Sequence, residues 1–310
     1  MPELKLRAEQ WEYGGVHRTM RIKKETKGGK TGKRRRKARI LSDVVLVALV
    51  GVFLFSGYNF LKEYRQYQFG DEEYSKIKAA ISVPNDGNII MSESSTNNEY
   101  NNETETEAMP IEYPELSIDF EALKTENPDF LAVLYIPALD LYYPMTHSHD
   151  NAEYLNTLFN GESSVYGCIF LEKDARSDFR SMNSFIYGHN MKNGTMFGSL
   201  KRFERNEDLC DSDPYIYIYT ENRVYKYHIF SYYQCPKDDP LYQGVSDEAG
   251  YDSYVEDCQR RSEYHRFTDT RQDDFSKRPP LITLSTCVGV GETTHFLVVA
   301  ALMGTATTGV

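Results

Sequence analysis

A mainly β fold, an eight-stranded closed or nearly closed barrel with peripheral helices, is predicted for residues 111–310 of this chain. Eight short apolar or alternating runs lie between residues 131 and 302, with few helical stretches among them. Aromatic residues are abundant and mostly tyrosine, 24 Tyr beside 16 Phe, which suits half-buried strand faces. One long segment of helical propensity without strand alternation separates the sixth run from the seventh.

The chain starts with a basic tail. Residues 1–39 hold 14 Lys and Arg against 4 Asp and Glu, and the remainder holds 21 basic against 42 acidic residues. The formal net charge of −11 therefore hides two parts of opposite sign. Such a split points to a membrane surface or a nucleic acid. The next segment favours the membrane: "ILSDVVLVALVGVFLFSGYNFL" (residues 40–61) stays apolar for about 20 residues, enough to cross a ~30 Å hydrocarbon core as a helix. "KTGKRRRKAR" lies directly before it, so the positive-inside rule predicts a cytoplasmic N-terminus and an extracellular body on a single-pass cell-membrane anchor. A cleaved signal peptide fits less well, because the apolar run is long and no clear A-x-A site follows. No nucleic-acid partner is expected.

Residues 62–110 read as an extracellular helix and a flexible spacer. "KEYRQYQFGDEEYSKIKAAI" keeps helical spacing, whereas Asn85 to Pro110 is rich in Asn, Ser, Thr and Glu and poor in apolar residues. In the body, "IDFEALKTENPDF" predicts a short helix stopped by Pro128. The strand-like runs follow: "LAVLYI", "LDLYYPM", "YGCIFL", "NSFIYGH", "YIYIYT", "RVYKYHIFSYY", "LITLST" and "FLVVAAL". The fifth and sixth, separated by "ENR", read as a hairpin. "SDEAGYDSYVEDCQRRSEYHRF" (residues 246–267) reads as one long helix.

Five cysteines, Cys168, Cys210, Cys235, Cys258 and Cys287, cannot all pair within the chain and show no C-x-x-C spacing. A disulfide scaffold is not expected, and four of the five read as small buried apolar residues. Cys287 differs because it ends a β-branched strand and precedes a glycine-containing turn, "VGVGE". A thiol so placed is held rigidly at an exposed strand end, and an imidazole or positive field favours its thiolate. His189, at the end of "NSFIYGH", is a candidate partner, although spacing alone does not bring the two ends together. His147, His149 and Asp150 have H-x-H-D spacing but lack a visible fourth ligand, so neither a metal nor another cofactor is expected.

"YGHNMKNGTMFGSL" and "TLSTC" strongly resemble the histidine and cysteine motifs of sortases, the membrane-anchored cysteine transpeptidases of Gram-positive bacteria. "FEALKTENPDFLAVLYIPALDLYYPM", "DNAEYLN" and the long helix before the cysteine strand resemble class B sortases, over roughly residues 115–303. The resemblance implies a sortase-like β-barrel and a sorting reaction. Cys287 would attack a threonine carbonyl in the sorting-signal peptide of a secreted surface protein, giving a thioacyl enzyme. His189 would protonate the departing amine and then deprotonate the incoming one. That amine would belong to a peptidoglycan cross-bridge or its precursor, or to a pilin-like subunit. Asn151 and Leu155 match positions that line the substrate groove in class B enzymes, while Ser285 and Thr286 beside Cys287, and Tyr187 beside His189, are candidate substrate contacts by adjacency.

One position departs from the family pattern, since His295 stands where an arginine is expected just before the last apolar run. Guanidinium is always charged and offers five donors, whereas neutral imidazole offers one. Three readings stay open: His295 steadies the oxyanion itself, Arg266 or Arg271 does so, or the protein is an impaired anchored module that binds sorting signals.

Overall fold

Eight strands close into one barrel in a computed structural model of the chain, which describes residues 30–82, 89–91, 111–245, 247–264, 274–287 and 293–308. The chain divides into two units, Met1–Phe60 and Leu61–Val310. Helix α1 (Lys30–Lys78) begins in the first and continues in the second. It contains an 18-residue window of mean hydropathy 2.3 with no residue buried, long and apolar enough to cross a membrane. Ile40, Leu46, Phe53 and Phe55 are among its exposed apolar side chains.

In the second unit, α1 ends with Tyr74 and Ile77 buried. Strands β1 (Ile81–Ser82) and β2 (Ile89–Met91) pair antiparallel with β4 (Ser117–Ile118) and β3 (Glu112–Pro114) respectively. Three residues of the predicted spacer thus form a strand, because "IIM" is an apolar extended run inside a polar stretch. Residues 92–110 of that spacer lie outside the described residues. Helix α2 (Phe120–Glu126) is capped by Asp119, whose carboxylate accepts from the Ala122 amide at 2.9 Å, and Leu123 is its buried residue.

The barrel strands are β5 (Phe130–Ile136), β6 (Leu141–Thr146), β7 (Ile169–Leu171), β8 (Asn183–His189), β9 (Tyr215–Tyr219), β10 (Arg223–Pro236), β11 (Leu281–Cys287) and β12 (Thr294–Thr307). These are the eight runs read from the sequence, and β9–β10 is the predicted hairpin. Around the closed sheet the order is β10-β12-β11-β8-β7-β6-β5-β9. Two pairings are parallel, β6 with β7 and β8 with β11. The long β10–β12 pairing shifts register twice, with Met303 of β12 extra at Lys226/Tyr227 and Phe230 of β10 extra at Ile229/Ser231.

Two short helices, α3 (Arg202–Arg205) and α4 (Asp208–Ser212), precede the hairpin. Helix α5 (Glu248–Arg261) precedes the cysteine strand and is shorter than the sequence predicts. Asp247 caps it by accepting from Gly250 N at 2.7 Å, and Arg260 and Arg261 suit its negative C-terminal end. Ser262 leaves the helix in an extended conformation, and residues 265–267 lie outside those described. Its buried face, Tyr251, Tyr254, Val255 and Cys258, follows i, i+3, i+4, i+7 spacing and packs with Phe230, Tyr233 and Leu297 in a second, smaller core. The main core fills the barrel with Ile186, Ile216, Ile218, Ile282 and Val298, among others.

Ile218 is fully buried in β9 between Leu134 of β5 and Tyr225 of β10. Ile218→Ala is expected to destabilise the barrel by about 2–5 kcal/mol, seen as a lower urea midpoint at an unchanged denaturant slope.

Candidate active site

Strands β8 and β11 run parallel and in register from Asn183↔Leu281 to His189↔Cys287. The candidate imidazole and thiol positions are therefore paired neighbours at the C-terminal ends of adjacent strands, which lie ~4.8 Å apart in a sheet. Gly188, paired with Thr286, is required by packing, since a Cβ there would lie 2.8 Å from the Phe197 ring. Strand β12 runs antiparallel to β11 and begins at this same rim, which brings in His295.

His189 is half-buried, and its Nε2–H donates to the Leu155 carbonyl. A carbonyl only accepts, so in the neutral ring Nδ1 is the unprotonated nitrogen. Burial pushes the imidazole below its ordinary value, and the Leu155 carbonyl opposes that shift. Leu155 ends a single turn, Glu153–Leu155, and its carbonyl meets the histidine.

At the mouth of β11 the ladder is completed by side chains. Thr286 Oγ1 accepts from Phe296 N at 2.8 Å, and the His295 Nδ1–H donates to the Thr286 carbonyl. Ser285 and Thr286 are fully buried, and Ser285 Oγ lies 2.8 Å from the Tyr242 hydroxyl. The Tyr242 ring also lies against His295, with centroids 4.9 Å apart. Tyr242 sits in a turn, Pro240–Gln243, capped by Asp239, whose carboxylate accepts from Leu241 N at 3.0 Å and pairs with Arg261 of α5 at 2.5 Å.

Tyr187 is half-buried and packs on Phe170 and Phe185, with centroids 5.4 and 6.1 Å away. Asn151 braces a loop, accepting from Lys173 N at 2.8 Å. The structure thus gathers His189, Leu155, Tyr187, Ser285, Thr286, His295 and the backbone of Cys287 at one rim. Asn151 bonds to the strand exit beyond β7. Arg266 and Arg271 lie outside the described residues. Tyr242 has no distinguishing mark in the sequence, where "DDPLYQG" reads only as a turn.

The other four thiols are buried. Burial raises Cys168, Cys210 and Cys258 to about 12 and Cys235 to about 11, which disfavours a thiolate in each. Among the described residues, no group of three or more His, Cys, Asp or Glu side chains converges to hold a metal. The rim therefore offers a strand-end cysteine position, a half-buried imidazole and a second imidazole. That set suits nucleophilic acyl transfer.

A family model described as a sortase domain matches residues 134–303. Sortase B of Listeria monocytogenes is 26% identical over 248 residues, covering 80% of this chain and 89% of that protein. The structure of Clostridium perfringens sortase B is 29% identical with a TM-score of 0.53, covering 59% of this chain and 99% of that one. Sortase B from Bacillus anthracis, at 24% identity and a TM-score of 0.58, covers 77% of this chain and 99% of its own and shares the fold.

Because the folded His189 holds its proton less tightly than in an unfolded chain, the unfolded state binds more protons as pH falls through the ordinary imidazole range, about 6.5. Stability contributed by the neutral ring is complete above that range and declines below it. Acidification from pH 7.5 to 5 is expected to destabilise the wild type more than His189→Gln, with no change in that difference above pH 7.5, as read from denaturation midpoints.

Proposed function

The chain belongs to the sortase family, as a class B cysteine transpeptidase, and on that premise we propose that Cys287 and His189 cleave a C-terminal sorting signal and transfer the surface protein to an amine. The Cys287 sulfur attacks the threonine carbonyl carbon, and the tetrahedral adduct collapses with loss of the C–N bond. His189, as imidazolium, gives its proton to the departing amine, leaving a thioester. The incoming amine then attacks the thioester, His189 accepts its proton, and the C–S bond breaks as the new amide forms. The parallel register of His189 with Cys287 is the observation that supports this assignment. Nδ1, left without a proton by the bond to Leu155, is the nitrogen that exchanges protons with the thiol and amines.

The apolar helix and the basic run before it support a membrane-anchored enzyme with its N-terminus inside and its catalytic domain outside. There it meets exported surface proteins and the amine of a cell wall precursor or another subunit. Tyr187 walls the groove, and Asn151 and Leu155 shape the loop opposite. Ser285 and Thr286 act from within the sheet by holding the cysteine strand in place.

His295 supports a second reading, an anchored module that binds sorting signals without turnover. The single N–H of its neutral ring already donates to the Thr286 carbonyl, so Nε2 presents a lone pair, which repels an oxyanion. Only the imidazolium offers a second donor. The two readings separate in one assay of the full chain in detergent micelles, with a peptide library and an added amine. The enzyme yields the amide-linked product; the module retains peptide and cleaves none.

Cys287→Ala is expected to abolish the thioacyl adduct observed by mass spectrometry; an adduct that persists would place the nucleophile elsewhere. His295→Arg is expected to raise turnover, by up to the 10²–10³ scale of one oxyanion donor. An unchanged or lower rate refutes this account of His295.

A further inference from the structure

The ring of His189 rests on a segment that the last turns of α1 hold from beneath. Within the second unit, Tyr74 is 4% exposed and its hydroxyl donates to the Gly167 carbonyl at 2.6 Å. Gly167 has φ +55° and is packed too tightly for any side chain. A Cβ there would clash with the Tyr154 carbonyl and lie 2.7 Å from the Leu155 carbonyl and 3.0 Å from His189 Cδ2. The backbone that Tyr74 holds therefore lies against the His189 ring and the carbonyl to which that ring donates with no room for a side chain between them.

A second set of contacts runs from α1 to the loop that follows His189. The Tyr166 hydroxyl donates to Asp71 Oδ1 at 2.6 Å and accepts from Asn193 Nδ2 at 2.7 Å. The Tyr166 ring lies directly on Gly70 of α1, where a Cβ would come within 2.5 Å of its Cδ2. Asn193 belongs to the loop that leaves β8, closed by a bridge between Asn190 and Met196. Glu73 also accepts from Asn160 Nδ2 at 2.9 Å, on the same connection as Leu155 and Gly167.

We propose that Tyr74 is a positioning residue for His189, and that α1 beyond its apolar segment is part of the active-site scaffold as well as a tether. The physical reason is the orphaned carbonyl. Without the Tyr74 hydroxyl, Gly167 O is a buried acceptor with its partner removed, and the segment must shift to find another. Any shift moves the Leu155 carbonyl and the contact beneath the imidazole together. An ångström of displacement at a proton-transfer group is costly in rate while leaving substrate binding intact.

The inference rests on His189 as the acid–base group. It is tested in the full chain in detergent micelles with Tyr74→Phe, which removes one oxygen; Gly70→Ala, which displaces Tyr166 yet favours the helix; and Glu72→Gln, in an exposed pair with Lys76. Tyr74→Phe and Gly70→Ala should each lower kcat about tenfold with KM within about twofold. Both should also raise the acid limb of the kcat/KM profile as water reaches the ring, and Glu72→Gln should change neither. Wild-type kcat and pH profile in Tyr74→Phe and Gly70→Ala overturn the proposal. So does a loss of activity that tracks the folded fraction with an unmoved acid limb. If His189→Gln is inactive while Tyr74→Phe is normal, only the positioning role fails. If His189→Gln stays active, the assignment of His189 fails first.

Discussion

The site depends on the parallel pairing of β8 with β11. A hairpin cannot make a parallel pair, so the chain must leave β8, cross over and return in the same direction. Here the crossover carries α3, α4, the β9–β10 hairpin and α5 before β11 begins. Its effect is to end two strands at one rim, one with His189 and the other with Cys287. Antiparallel neighbours would have put those two C-terminal ends at opposite edges of the barrel. His189 and Cys287 thus share an edge because of chain direction, with the closed sheet holding both.

Strand identity was written locally, and strand order was not. Each barrel strand has its own alternation or apolar run, so all eight could be found one at a time, as could the hairpin across "ENR". The pairing of Leu281 with Asn183 joins residues far apart in the chain, and no local pattern encodes it. Residue spacing alone therefore left His189 and Cys287 as two strand ends, and the likeness of their motifs to a known family suggested that they meet. Helix α5 ends sooner than its sequence suggests for a related reason: helical propensity continues past Arg261, and the change at Ser262 is conformational. Tyr74 was least visible. Tyr67, Gly70, Asp71 and Tyr74 form a stripe at helical spacing, but that stripe equally describes any helix lying on a domain.

Several residues read from sequence as substrate contacts turn out to be engaged inside the protein. Ser285 and Thr286 have no exposed surface, and their hydroxyls are occupied by Tyr242 and Phe296 N. This suits a strand end that must stay rigid where the regular ladder stops, since β11 and β12 pair in register only as far as Ser285 and Leu297. Side chains take over the bonding that the backbone gives up. Tyr242 extends the brace outward through the Asp239 cap to Arg261, so α5 is fastened to the rim it precedes.

His295 belongs to that same brace. A guanidinium has five N–H groups and could hold the Thr286 carbonyl while still pointing donors at a developing oxyanion. A neutral imidazole has one N–H, and here the strand takes it. That N–H braces the strand and has no capacity left for a second acceptor. Strand support thus takes one of the two ring nitrogens of His295 and leaves the other facing away from that bond. With the Nδ1–H given to the Thr286 carbonyl, Nε2 is the nitrogen left for any further partner.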